Sequence, residues 1–189
     1  MAEEISMAEL KEMIRDLTRS QQEVSEQFKA MDLMLSKKFS DTDKKLNKAT
    51  ELFTSQWGRL IESLVEGDLA KILQQRGIAV TDTTSRRKGK KRGENFEFDI
   101  IAHNGDEIVI VEVKTTLRPD DVKDFKAKMG KAKLLLTEYQ NYQVYAAMAF
   151  LQADAGAEIM AEKQGFFVIK ATGNSASIIN DVQFVPKIY

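Results

Sequence analysis

The sequence predicts an α/β domain, a mixed sheet flanked by helices, preceded by a long coiled-coil helix. Three observations carry this reading. Residues 1–57 contain no Gly and no Pro and set apolar side chains at alternating steps of three and four, the spacing of a heptad seam. Beyond residue 58, short apolar runs alternate with helical stripes and Gly-marked stops, the pattern of a sheet covered by helices. Asn104-Gly105 separates two of those runs, the strongest short hairpin signal.

The seam runs through Leu10, Ile14, Leu17, Gln21, Val24, Phe28, Met31 and Leu35, then Phe39, Thr42, Leu46, Ala49, Phe53 and Trp57. Steps of four follow steps of four at Leu35–Phe39 and Phe53–Trp57, stutters that locally unwind a supercoil. So narrow a stripe needs a partner helix, and 1–57 is read as a parallel, self-associating coiled-coil segment. The competing reading is an amphipathic helix folded back on its own domain. The second domain is 58–189. Residues 58–76 carry the wider stripe Leu60, Ile61, Leu64, Val65, Leu69, Ile72 and Leu73, which suits a helix packed on a sheet, with Gly77 as its stop. A short strand is expected over 78–82, then a polar basic loop over 83–93, whose bland reading is a solvated, mobile segment. Strands follow at 96–103 and 108–116. Pro119 opens a helix, with Asp120 and Asp121 at its positive end. A strand at 142–151, with helix as its competitor because of the Ala content, a helix at 154–164 stopped by Gly165, a strand at 166–170 and a short one at 177–179 complete the order.

Composition narrows the chemistry. Lys and Arg total 28 against 29 Asp and Glu, a net charge of −1, so affinity for nucleic acid would need a local patch. With no Cys and one His, disulfides, thiolate catalysis, Cys-based zinc sites and multi-His metal centres are excluded. No apolar run is long enough for a membrane span, and the first residues are acidic; a cytoplasmic protein is expected.

Charges inside apolar strands mark a site. Glu112 and Lys114 interrupt Ile108-Val-Ile-Val-Glu-Val-Lys114 two residues apart, so they share a face. Asp99 interrupts Phe96-Glu-Phe-Asp-Ile-Ile101 in the same way, and the hairpin turn sets it opposite 110–112. Such charges are costly unless paired or bound to an ion. Two carboxylates beside a lysine form a hard-oxygen site suited to Mg²⁺ or Mn²⁺ rather than zinc, with the Val113 carbonyl as a further ligand. The bland alternative is a salt bridge between Lys114 and one of the acids.

Asp99 followed by Glu112-Val113-Lys114, in a hairpin after an amphipathic helix, resembles the PD-(D/E)XK nuclease superfamily, whose fold is the restriction-endonuclease-like one. Over 97–116 the segment closely resembles the Holliday-junction-resolvase-like branch, and the resemblance covers about 58–170. Phe98 stands where that pattern has Pro, and Asn141 stands where the exonuclease branch would have a Gln before Tyr145. The resemblance implies a Mg²⁺-dependent endonuclease, with Mn²⁺ able to substitute. In it Asp99 and Glu112 hold the metal, and Lys114 assists the attacking water. Glu66 of the first helix also faces the ion, with Glu62 one turn earlier as the fallback.

The run Arg86, Arg87, Lys88, Lys90, Lys91 and Arg92 leads into the Asp99 strand and is read as the contact to a phosphate backbone, DNA rather than RNA. A second set, Lys123, Lys126, Lys128, Lys131 and Lys133, is spread around its helix. The rival reading is a non-catalytic coiled-coil adaptor whose nuclease-like domain binds nucleic acid or protein.

Overall fold

The computed structural model describes residues 7–91 and 93–189. The chain divides into two compact units, Met1–Phe53 and Thr54–Tyr189. In the first, every described residue is helical and exposed, including the seam residues Leu10, Ile14, Leu17, Val24, Phe28, Met31 and Leu35. This helix, α1, spans Met7–Gln74 and passes through Gly58 and Gly67 without a break. Among the described residues no helix is long and apolar enough to cross a membrane.

The second unit is a six-stranded mixed sheet in the order β1-β2-β3-β4-β5-β6. Its strands are β1 Asp82–Lys91, β2 Glu94–Asn104, β3 Glu107–Leu117, β4 Gln143–Ala153, β5 Phe167–Ala171 and β6 Ala176–Ile178. The first three form an antiparallel meander, β3, β4 and β5 run parallel, and β6 returns antiparallel. Parallel pairing of β3 with β4 requires a crossover, supplied by α2 (Pro119–Gly130), the single turn α3 (Ala132–Leu135) and a 3₁₀ turn at Thr137–Tyr139. A further helix, α4 (Ala157–Lys163), connects β4 to β5.

Both faces of the sheet are covered. Ile61, Val65, Leu69, Ile72 and Leu73 of α1 pack on Ile100, Ala102, Val109, Val111, Ala147 and Ala149. On the other face, Val122, Phe125 and Met129 of α2 and Ala157 and Ala161 of α4 meet Ile101, Ile108, Ile110, Ala146 and Met148. The strands buried on both sides are the near-continuous apolar runs, as expected for a parallel core.

The strand expected at 78–82 does not form, and the basic loop expected at 83–93 is a strand over most of its length. The helix end explains the first correction. Gly77 takes φ +84, Ile78 N–H bonds the Leu73 carbonyl at 3.1 Å and Gly77 N–H bonds that of Gln74 at 3.0 Å. That is a Schellman cap, and it uses the donor with which Ile78 would have entered a ladder. The second follows from position. β1 is the edge strand, paired with β2 from Asp82–His103 to Lys91–Glu94. An edge strand needs no apolar alternation, and lysines there discourage pairing with other chains.

Candidate functional site

The site lies where the β1–β2 hairpin changes the face it presents. The register pairs Ser85 with Ile100 and Arg87 with Phe98, which sets Arg86 opposite Asp99. Before this point Thr83 and Ser85 reach toward α1, donating to Glu66 Oε1 at 3.1 and 2.5 Å. After it Arg87 reaches to Glu138 at 3.0 Å and Lys91 donates to Thr137 at 2.7 Å, both on the opposite face. β2 reverses in step, with Ile100 in the α1-side core and Phe98 in the α2-side core. Strict alternation would keep those two on one face. Arg86 absorbs the twist with φ +53, a region non-glycine residues seldom adopt.

The twist ends the β2–β3 ladder, whose last pair is Ile100–Val111. Asp99 then bonds the next strand through its side chain, with Val113 N–H donating to Oδ2 at 2.8 Å. A strand residue points its N–H and C=O to the same edge, so the Val113 carbonyl faces the Asp99 side. Glu112 is only 13% exposed and engages two ammonium groups. Lys114 Nζ is 3.0 Å from Oε1, and Lys128 Nζ, from α2, is 2.6 Å from Oε2.

Burial, and then repulsion from Glu112, push the Asp99 carboxyl up to about 6, against the Val113 N–H and Lys128, which favour the charged form. Lys114 loses stabilisation to burial, but the Glu112 carboxylate outweighs this and raises its pKa. The carboxylates therefore feel one another, and Asp99 is the one short of positive charge. Among the described residues no three His, Cys, Asp or Glu side chains converge on one point. Two hard oxygen donors and a strand carbonyl nonetheless fit a Mg²⁺ or Mn²⁺ ion, which retains much of its water when bound.

The helix acids are divided. Glu66 receives the hydroxyls of Thr83 and Ser85. Glu62 takes Arg86 through two hydrogen bonds, at 2.8 and 3.0 Å, and its charge is one that Asp99 senses. Of the basic run, Arg86, Arg87, Lys88, Lys90 and Lys91 lie on β1, whereas Arg92 is outside the described residues. Arg86, Arg87 and Lys88 are paired with Glu62, Glu138 and Glu97, so the strip is a held surface rather than a mobile loop. His103 stands apart from the carboxylates, with its ring against Tyr139 and its Nε2 3.1 Å from Thr84 Oγ1.

Lys128 is the site residue that sequence reasoning did not distinguish. Its one signal is its place three residues after the buried Phe125, at the border of the apolar stripe of α2, where a lysine can bury its stem and project its head.

No protein-family model and no curated protein matches the chain. Several solved structures are similar to part of it. A repair endonuclease from Pyrococcus abyssi shares 20% identity over 56% of this chain and 46% of its own, with a TM-score of 0.39. EndoMS in complex with double-stranded DNA shares 16% over 57% and 45%, with a TM-score of 0.34. A protein of unknown function, AF1548, shares 16% over 53% of each chain, with a TM-score of 0.33. The chain thus spans about half the length of each of these structures.

Proposed function

We propose that the chain is a divalent-metal-dependent nuclease that hydrolyses phosphodiester bonds within nucleic acid, DNA in preference to RNA. One observation carries the reading. Asp99 and Glu112 meet where the β2–β3 ladder ends, close enough for Glu112 to oppose ionisation of Asp99, with the Lys114 ammonium beside them. The preference for DNA follows the resemblance of the 97–116 motif to resolvase-like nucleases.

Asp99 and Glu112, with the Val113 carbonyl, would hold the ion. A bound Mg²⁺ or Mn²⁺ supplies an acidified water and a counter-charge for the phosphoryl oxygens. Lys114 has its pKa raised, so at neutral pH it is a hydrogen-bond donor and cannot serve as the base. Its part is to orient the attacking water and to face the negative charge that grows on the phosphoryl group. Glu66 and Glu62 act through β1. By gripping Ser85, Thr83 and Arg86, they set the twist that turns Asp99 toward β3. The cations of β1 exchange their local carboxylates for backbone phosphates, a trade that weakens as salt rises. Residues 1–57 join copies of the chain, so that two sites act on one duplex or junction.

Calorimetric titration with Mn²⁺ tests the metal step. Native protein is expected to bind, and both Asp99→Asn and Glu112→Gln to lose binding. Absence of binding by native protein, with nucleic acid present, would leave the adaptor reading in its place.

A further inference from the structure

Glu112 holds one ammonium more than neutrality requires. Lys114 occupies Oε1 and Lys128 occupies Oε2, while among the described residues no Lys or Arg nitrogen lies within ion-pair distance of Asp99. The second ammonium is also placed by more than the carboxylate. Lys128 Nζ stands over the Phe98 ring, 4.8 Å from its centroid, and 6.0 Å from that of Phe125. Phe98 is fully buried and adjoins Asp99 in sequence, and α2 is fixed to the sheet by Val122, Phe125 and Met129. An aromatic face attracts a poorly hydrated ammonium, so Lys128 is cradled on one side and ion-paired on the other.

We propose that Lys128 is a built-in placeholder cation. It occupies the Glu112 oxygen that a divalent ion needs, and leaves it when the ion binds. The inference rests on the metal-dependent reading of the site. Its basis is charge. Asp99 and Glu112 against Lys114 and Lys128 make a neutral quartet, into which a doubly charged ion fits only if an ammonium withdraws. Lys114 is tied to the same strand, two residues from Glu112, whereas Lys128 arrives from a different element on a long flexible stem. The released ammonium is free to take a phosphate oxygen of the bound nucleic acid. Metal and nucleic acid then favour each other, since the ion frees Lys128 for a phosphate and the phosphate draws Lys128 off Glu112, and the coupling is reciprocal.

Titration of Mn²⁺ into native protein, Lys128→Met and Lys128→Arg, without nucleic acid, tests this. Lys128→Met should bind Mn²⁺ roughly tenfold more tightly than native protein, a coupling of ordinary size for linked sites, and Lys128→Arg should return to weak binding. In a parallel Mg²⁺ titration followed by NMR, the Lys128 side-chain ε-carbon signal should shift while that of Lys131 stays. Equal or weaker binding by Lys128→Met, with native protein binding normally, overturns the placeholder role alone. No binding by either protein overturns the metal reading and the inference with it.

Discussion

Asp99 is ionised at a cost, because burial and the Glu112 carboxylate both raise its pKa, to about 6. In the unfolded chain an aspartate titrates near ~3.9. Below that value Asp99 is protonated in both states and its contribution to stability is fully present; as pH rises through about 6 the contribution is lost. Asp99→Asn is therefore expected to stabilise the metal-free protein at pH 7.5 by about 3 kcal/mol. The gain should fade toward pH 4, as read from urea midpoints at each pH. A variant no more stable at pH 7.5 than native protein would contradict this. Asp99, Glu112 and Lys114 were legible in the sequence because a charge inside an apolar strand is itself anomalous. Lys128 was not, since among five similar lysines its only mark is a place at the border of the apolar stripe, three residues after Phe125. Glu62 and Glu66 lie one turn apart, and only the path of β1 decides that Arg86 takes the first and the hydroxyls of Thr83 and Ser85 the second.

The strand that periodicity could not find is β1. Its side chains alternate in no apolar sense, and what holds it is outside itself: the ladder to β2, and carboxylates on α1, on β2 and in the crossover. On β1, packing fixes the residue at Gly89. It pairs with Phe96, and a Cβ built on it would lie 2.5 Å from Phe96 Cζ. Gly89→Ala should thus displace the ring and cost about 1–3 kcal/mol, the usual penalty of overpacking, measurable as a lower urea midpoint. The cations of β1 have a functional consequence as well. Reversing Arg87 and Lys90 to Glu should weaken DNA binding and flatten the dependence of log affinity on log salt by roughly 2, with Mn²⁺ affinity unchanged in the same protein. An unaltered salt slope would remove β1 from the nucleic-acid surface. Strands β2 and β3, helix α2 and the end of α1 were readable in place, because a two-residue turn, a Pro at the first helical position and the Schellman glycine Gly77 each impose a local geometry.

At the scale of the whole molecule, the two parts of the chain read differently because they bury their apolar residues differently. From Ile61 onward the stripe of α1 is closed by the sheet, whereas Leu17, Val24 and Phe28 remain exposed. A seam of this kind is stable only against another helix. The full chain should therefore be an oligomer in light scattering, and Val24→Glu with Phe28→Glu should reduce it to a monomer with lower ellipticity at 222 nm. A monomeric native protein would contradict self-association without touching the site. Phosphodiester hydrolysis itself is tested by incubation of end-labelled linear and branched DNA, and of RNA, with the full chain in Mg²⁺. Internal cleavage is expected that stops on chelation and is absent from Asp99→Asn. Cleavage that survives in Asp99→Asn, or native protein that binds Mg²⁺ and DNA yet leaves every substrate intact, would contradict it.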